Sequence, residues 1–191
     1  MNQGTPGQAA QSQLEALQDR LDFAKKLQAL TNKIHATDNI SQIMLDLSAE
    51  ICELFQCERL TLYVVNKKEG VLVSKVKTGI NSDQELVLPI NRNSIAGYVA
   101  LTRNTVRINN LEDPAELQNI DPELHFFTDV DRRTGFKSKQ MLTAPLLQGL
   151  SKEVVGVLQL INQRADGRFD SVAEDGLEAL TATLALALFQ R

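Results

Sequence analysis

Two stretches far apart in the chain, 60–77 and 140–163, each place two strand-like runs on either side of a short turn. Each therefore reads as an antiparallel hairpin. In the first, Leu60, Leu62 and Val64 alternate with Thr61, Tyr63 and Val65, Lys67 to Gly70 form the turn, and 71–77 returns. In the second, 140–147 and 154–163 flank a turn at 149–153. Hairpins with an apolar face need a cover, and both chain ends supply one. Leu14, Leu17, Leu21, Ala24, Leu27, Leu30 and Ile34 step by three or four, the spacing of one stripe on a helix, which predicts a helix over about 13–36. Ile40, Ile43, Met44, Leu47, Ile51, Leu54 and Phe55 repeat that period behind a cap at Thr37 or Asp38. At the far end, Leu177, Leu180, Leu184 and Leu188 follow Ser171 and Glu174, which have the spacing of a capping box. The expected class is α+β, a central sheet covered on one face by the N- and C-terminal helices.

Between the hairpins the pattern is finer. A short strand fits 86–90, Ser94 can cap a helix over about 95–103, and 105–108 reads as another strand. The span 109–138 has four aspartates, Asp113, Asp121, Asp129 and Asp131, two prolines and little period, with at most a short helix near 121–126. Connections of that length are uncommon, so it is either a binding lid or an insertion without a role. Residues 1–13 carry no charge and read as a flexible linker. The 14–36 helix either lies on its own domain or forms a coiled-coil or dimer seam, and 37–191 is one domain. Its last helical pattern runs to Phe189, as in a module leading into a larger protein.

Composition narrows the functions. With 191 residues, 43% of them hydrophobic, the chain can build one sizeable core within a folded surface of roughly 9,000 Å². A net charge of −4 offers no footprint for nucleic acid. Apolar runs fall short of the roughly 20 residues that membrane insertion needs, and no secretion signal is visible, so a cytoplasmic location is expected. Cys52 and Cys57 stand five apart without a second pair or a nearby histidine, which predicts buried reduced thiols and no metal site. His35 and His125 lie 90 positions apart, and no phosphate-loop, dinucleotide or zinc-protease motif occurs, so no enzyme is expected.

Three patches carry a resemblance: 94–100 (SIAGYVA), 131–138 (DRRTGFKS) and 155–162 (VGVLQLIN). In order and spacing they are similar to the GAF domain of cyclic-nucleotide phosphodiesterases and adenylyl cyclases. The stretches 94–102 and 121–126 also resemble GAF modules ahead of bacterial type II secretion or pilus-assembly ATPases. The resemblance implies a six-stranded antiparallel sheet with a ligand pocket between the sheet and the loop-rich side. It further implies a regulatory sensor that acts as a homodimer through its terminal helices on an output domain. The implied ligand is a small molecule such as a cyclic nucleotide, cGMP or cAMP.

By that likeness Ile95 and Ala96 would offer backbone N–H groups to a phosphate, as a helix start favours. Thr134 and Ser138 would line the lid, Asp131 would accept from a purine edge, Gln159 would present its amide and Thr61 would touch the base. Thr78 joins these candidates at the end of the second strand, where many cyclic-nucleotide-binding members carry Phe-Asp and this chain has Lys77-Thr78. Of the family's Asn-Lys, Phe, Asp-Glu signature, Asn162, Phe169 and Glu174 are present, while Gln163 and Ala173 remove its charge pair. The residues also admit plainer roles: Ser94 as a helix cap, Thr134-Gly135 as a turn, Gln159 paired with backbone. A ligand-free dimerisation or docking module therefore stands as the alternative function.

Overall fold

The computed structural model describes residues 6–36, 40–78, 85–164 and 167–189. In chain order it forms α1 (Pro6–His35), α2 (Ile40–Leu54), β1 (Cys57–Asn66), β2 (Val71–Lys77), β3 (Val87–Pro89), α3 (Ile95–Thr102), β4 (Val106–Ile108), α4 (Pro114–Ile120), α5 (Asp129–Thr134), β5 (Met141–Gln148), β6 (Glu153–Gln163) and α6 (Ser171–Phe189). Both hairpins form, and β1 pairs with β6, joining them into one sheet of order β3-β2-β1-β6-β5-β4. Each pairing is antiparallel.

Alternation sorts the central strands onto two faces. Leu60, Leu160 and Leu142 make one row across β1, β6 and β5, and Leu62, Leu158 and Ala144 the next. These rows pack with Leu30 and Ile34 of α1, Ile51 of α2 and Leu177, Leu180 and Leu184 of α6. On the opposite face Tyr63, Met141 and Val157 meet Ile95, Ala96 and Val99 of α3 and the lid residues Leu111, Leu117 and Leu124. Each fully buried leucine contributes about 1.5–3 kcal/mol. The terminal helices thus cover one face, as the sequence pattern predicts.

The N-terminal helix differs from expectation in two ways. It begins at Pro6, inside the stretch assigned to a flexible linker, with proline at a position whose missing N–H costs nothing; residues 1–5 lie outside the described residues. Its leucines also do not form one stripe. Leu30 and Ile34 are 3% and 1% exposed, whereas Leu14, Leu17 and Leu21 are 56%, 60% and 55% exposed. From Leu21 to Leu30 the chain steps by three, three and three, which turns the side chain by about 180° around the axis. The described first half of α1, from Leu14 to Leu21, therefore lies outside the core. Lower down, Phe23 stacks edge-on to Phe55 at 5.5 Å and fills a notch at Gly176 of α6. A Cβ there would stand 2.6 Å from the Phe23 ring.

Two other local expectations are corrected. The 121–126 segment is not helical; the lid instead holds α4 and α5. Asp113 caps α4 through Ala115 N at 2.9 Å with Pro114 in the first turn. Asp121 precedes Pro122 and is extended, at φ −156° and ψ 133°, because a following proline disfavours helix. At α6 the cap is Asp170, whose Oδ1 accepts from Ala173 N at 2.8 Å. Ser171 is already helical, and Glu174 lies 3.7 Å from Arg107. The proposed cap at Thr37 or Asp38 lies outside the described residues.

Candidate functional site

A cavity of about 440 Å³ lies between the sheet and the lid. Its floor is the face opposite the terminal helices: Arg59, Thr61 and Tyr63 of β1, Gln159 and Ile161 of β6 and Met141 of β5. Leu86 to Pro89 form one wall, and the start of α3 contributes Ser94, Ile95 and Ala96. The lid adds His125 to Phe127, Asp129 to Asp131, Phe136 and Ser138. Val87 and Phe127 at its margin are 55% and 54% exposed, an apolar rim.

Local bonds fix these walls. Ser94 Oγ accepts from Gly97 N at 3.1 Å, capping α3 as its sequence position predicts. The lid crosses that helix start where His125 N donates to Asn93 O at 3.0 Å, and Ser94 and His125 form an isolated parallel bridge. Arg92 pairs with the buried Asp121 carboxylate and ties the lid to the loop before α3. At the lid's other end Asp131 accepts from Ser138 N at 2.7 Å and from Ser138 Oγ at 2.9 Å.

Six of the residues singled out from the sequence line this cavity: Thr61, Ile95, Ala96, Asp131, Ser138 and Gln159. Thr78 and Thr134 do not. Thr78 Oγ1 accepts from Leu60 N at 2.8 Å, so it closes the end of the β1/β2 pairing. Thr134 Oγ1 donates to Val130 O at 2.9 Å inside the short α5, and the Gly135 that follows is left-handed. Among the described residues Gln159 has no backbone partner for its side chain; its Nε2 donates to Met141 Sδ at 3.1 Å, a weak acceptor. Across the sheet Gln159 stands in one row with Thr61 and Thr143. The hydroxyl of Thr143 is buried without a hydrogen-bond partner among the described residues.

The sequence reading missed Arg59, Tyr63 and Phe136. The Arg59 guanidinium carbon lies 3.6 Å from the Phe136 ring centroid, a cation–π contact from floor to lid. Burial lowers the pKa of Arg59, while the Asp131 and Glu58 carboxylates favour its charge. Burial pushes the Tyr63 phenol well above its ordinary value, so it is a neutral donor. Period two from Thr61 is the available signal for Arg59 and Tyr63, and Phe136 stands inside the 131–138 patch without being singled out there. Among the described residues no group of three or more His, Cys, Asp and Glu side chains could hold a metal. No described helix is long and apolar enough to cross a membrane.

Comparison with known proteins converges on one family. The family model of the GAF domain matches residues 39–188. A probable 3′,5′-cyclic phosphodiesterase, pde-5, of Caenorhabditis elegans is 30% identical over 147 residues, covering 71% of this chain and 18% of that protein. The rod cGMP-specific 3′,5′-cyclic phosphodiesterase subunit alpha of Bos taurus is 25% identical over 130 residues, covering 62% of this chain and 14% of its own length. The chain thus spans less than a fifth of these curated relatives. Among solved structures, the GAF domain of a phosphoenolpyruvate-protein phosphotransferase from Coxiella burnetii aligns with a TM-score of 0.73 at 18% identity, covering 90% of this chain and 95% of that one. A free methionine-R-sulfoxide reductase from Neisseria meningitidis aligns at 0.66 and 16% identity, covering 86% and 87%. At these identities the structures share a fold.

Proposed function

We propose, from the premise that this chain belongs to the GAF domain family, that it is a non-catalytic sensor module of a larger cytoplasmic protein. Its cavity takes a small molecule, with the cyclic nucleotides cGMP and cAMP as first candidates. The observation that carries this reading is the cavity of about 440 Å³, roofed by a lid tied at Asp121 and Asp131. That volume falls in the usual range for small-molecule sites. Relatives named as cGMP-specific phosphodiesterases support the nucleotide class. Thr61, Gln159, Asp131 and Ser138 supply polar contacts, with the N–H groups of Ile95 and Ala96 at the start of α3. The module works as a homodimer through α1 and α6 and signals to an output domain. Signalling requires tighter binding to one helix arrangement, since equal affinity shifts nothing.

A thermal-shift screen against cyclic mononucleotides, cyclic dinucleotides and purines tests the reading. Ligand at about 100 times its dissociation constant adds about 2.7 kcal/mol, which raises Tm by roughly 5–10 °C at this size. Silence across the panel at millimolar concentration removes the nucleotide reading. A second reading, a dimerisation or docking module without ligand, is favoured by the exposed Leu14, Leu17 and Leu21 and by Lys77-Thr78 at the end of β2. It expects a dimer whose melting no ligand changes.

A further inference from the structure

On the cavity floor β1 presents Arg59, Thr61 and Tyr63 at alternate positions, a row about 13 Å long. All three side chains are hydrogen-bond donors, and none has a hydrogen-bond or ion-pair partner among the described residues. Thr61 and Tyr63 are nevertheless 4% and 5% exposed. Neither hydroxyl is sealed off from the cavity, so an unpaired donor row on its wall suits the acceptors of a guest. The row is also polar from end to end. The Tyr63 end is neutral, and near it the Ser94 hydroxyl is already taken by Gly97 N while lid backbone crosses at His125. The other end carries a fixed charge. Arg59 stacks its flat face on Phe136, which leaves the N–H groups at the guanidinium edge free in the plane where they bind two oxygens at once.

We infer that Arg59 anchors the anionic group of the cavity's ligand, a phosphate or a carboxylate, with the rest of the ligand lying along β1 toward Thr61 and Tyr63. This rests on the reading of the cavity as a small-molecule site, and it places the anion at the lid end of the sheet and not at the start of α3. Two carboxylates share the wall: Asp129 pairs with Arg132, and Asp131, which together with Glu58 favours the Arg59 charge, accepts from Ser138 N and Oγ. Arg133, whose Nε donates to Asp129 O at 3.3 Å, lines the same wall.

The test is an NMR titration of the ¹⁵N-labelled chain with inorganic phosphate and, separately, with acetate, at constant ionic strength. Arg59 Nε–H should shift saturably, and Arg59→Gln should abolish saturation while the backbone amide spectrum stays folded. Saturation by phosphate alone selects a phosphate ligand, and saturation by acetate as well admits a carboxylate. Saturation at the Ile95 and Ala96 amides with Arg59 unmoved would overturn the inference, as would no saturation by either ion. Because the probes are simple ions, this result stands even where no nucleotide raises Tm, so the two readings fail separately.

Discussion

Asn162 on β6 donates through Nδ2 to the Glu58 carboxylate on β1 at 2.7 Å. The same amide donates to Lys137 O at 2.8 Å and accepts from Lys139 N and Gln140 N at 2.6 and 3.2 Å. One buried side chain therefore fastens the end of the lid to two central strands. Its backbone is left-handed, at φ 54°, a conformation that asparagine tolerates better than most residues.

Asn162→Ala removes every one of these contacts and leaves backbone N–H groups of the lid without acceptors. The expected cost is about 3 kcal/mol, read from urea denaturation. Asn162→Asp keeps an acceptor for Lys139 and Gln140 but sets a second carboxylate against Glu58, and should be destabilised in the same direction. A variant that unfolds at the wild-type urea midpoint would show that the lid is held elsewhere.

Along α1 the same residue type should have opposite roles. Leu30→Ala, at a buried site, should lower stability by about 2–4 kcal/mol. Leu21→Glu, at an exposed one, should leave the unfolding midpoint of the domain nearly unchanged. It should instead split the proposed homodimer, as measured by light scattering. A wild-type chain that scatters as a monomer at all concentrations would contradict the seam.

Gly97 closes the α3 cap against the β3 side of the cavity. A Cβ there would lie 2.5 Å from Pro89 O and 2.9 Å from Asn91 O, both backbone atoms that cannot swing away. Gly97→Ala should cost about 3 kcal/mol in denaturant unfolding and weaken any ligand held beside Ile95 and Ala96. Equal stability would mean that the β3–α3 loop yields easily.

The two buried thiols predict a pH profile. A hydrogen bond from Cys57 holds the Cys52 thiol down at about 7 against the opposing effect of burial, helped by the Thr78 hydroxyl and the Arg164 charge. The same bond, with burial, pushes Cys57 far up. For Cys52 the folded value lies below the unfolded one, so its contribution grows as pH rises from about 7 toward the ordinary thiol range near 8.5. For Cys57 the folded value lies above, so stability falls once the unfolded thiol ionises. Urea midpoints should therefore climb from neutral pH, peak near pH 8.5–9 and decline beyond it. Cys52→Ala should flatten the rising limb.

What could be read from the chain follows how local each signal is. The hairpins are legible because their strand-like runs and turn residues lie within one stretch, and Ser94 is legible as a cap because its partner Gly97 is three residues away. The helix at 114–120 is signalled equally locally, by Asp113-Pro114, but sits in a span whose other aspartates and weak period read as loop. In α1 each single step of three or four is helical, and the rotation that turns Leu21 away from Leu30 accumulates only over several of them. In the cavity, Thr61 and Gln159 share a row because β1 and β6 pair, and the family likeness supplied both. Arg59 on Phe136 joins positions far apart in sequence through a lid whose path no period encodes.

Gly176 and Phe23 limit how the two terminal helices can move. An aromatic ring seated where a Cβ would stand 2.6 Å away acts as a pin in a socket. Sliding α6 by one residue, about 1.5 Å along its axis, would carry the socket off the pin. Swinging about the pin keeps it seated. A push delivered along α6 is therefore resisted at this point, whereas a tilt passes from α6 to α1, and the exposed half of α1 beyond Phe23 lengthens the lever.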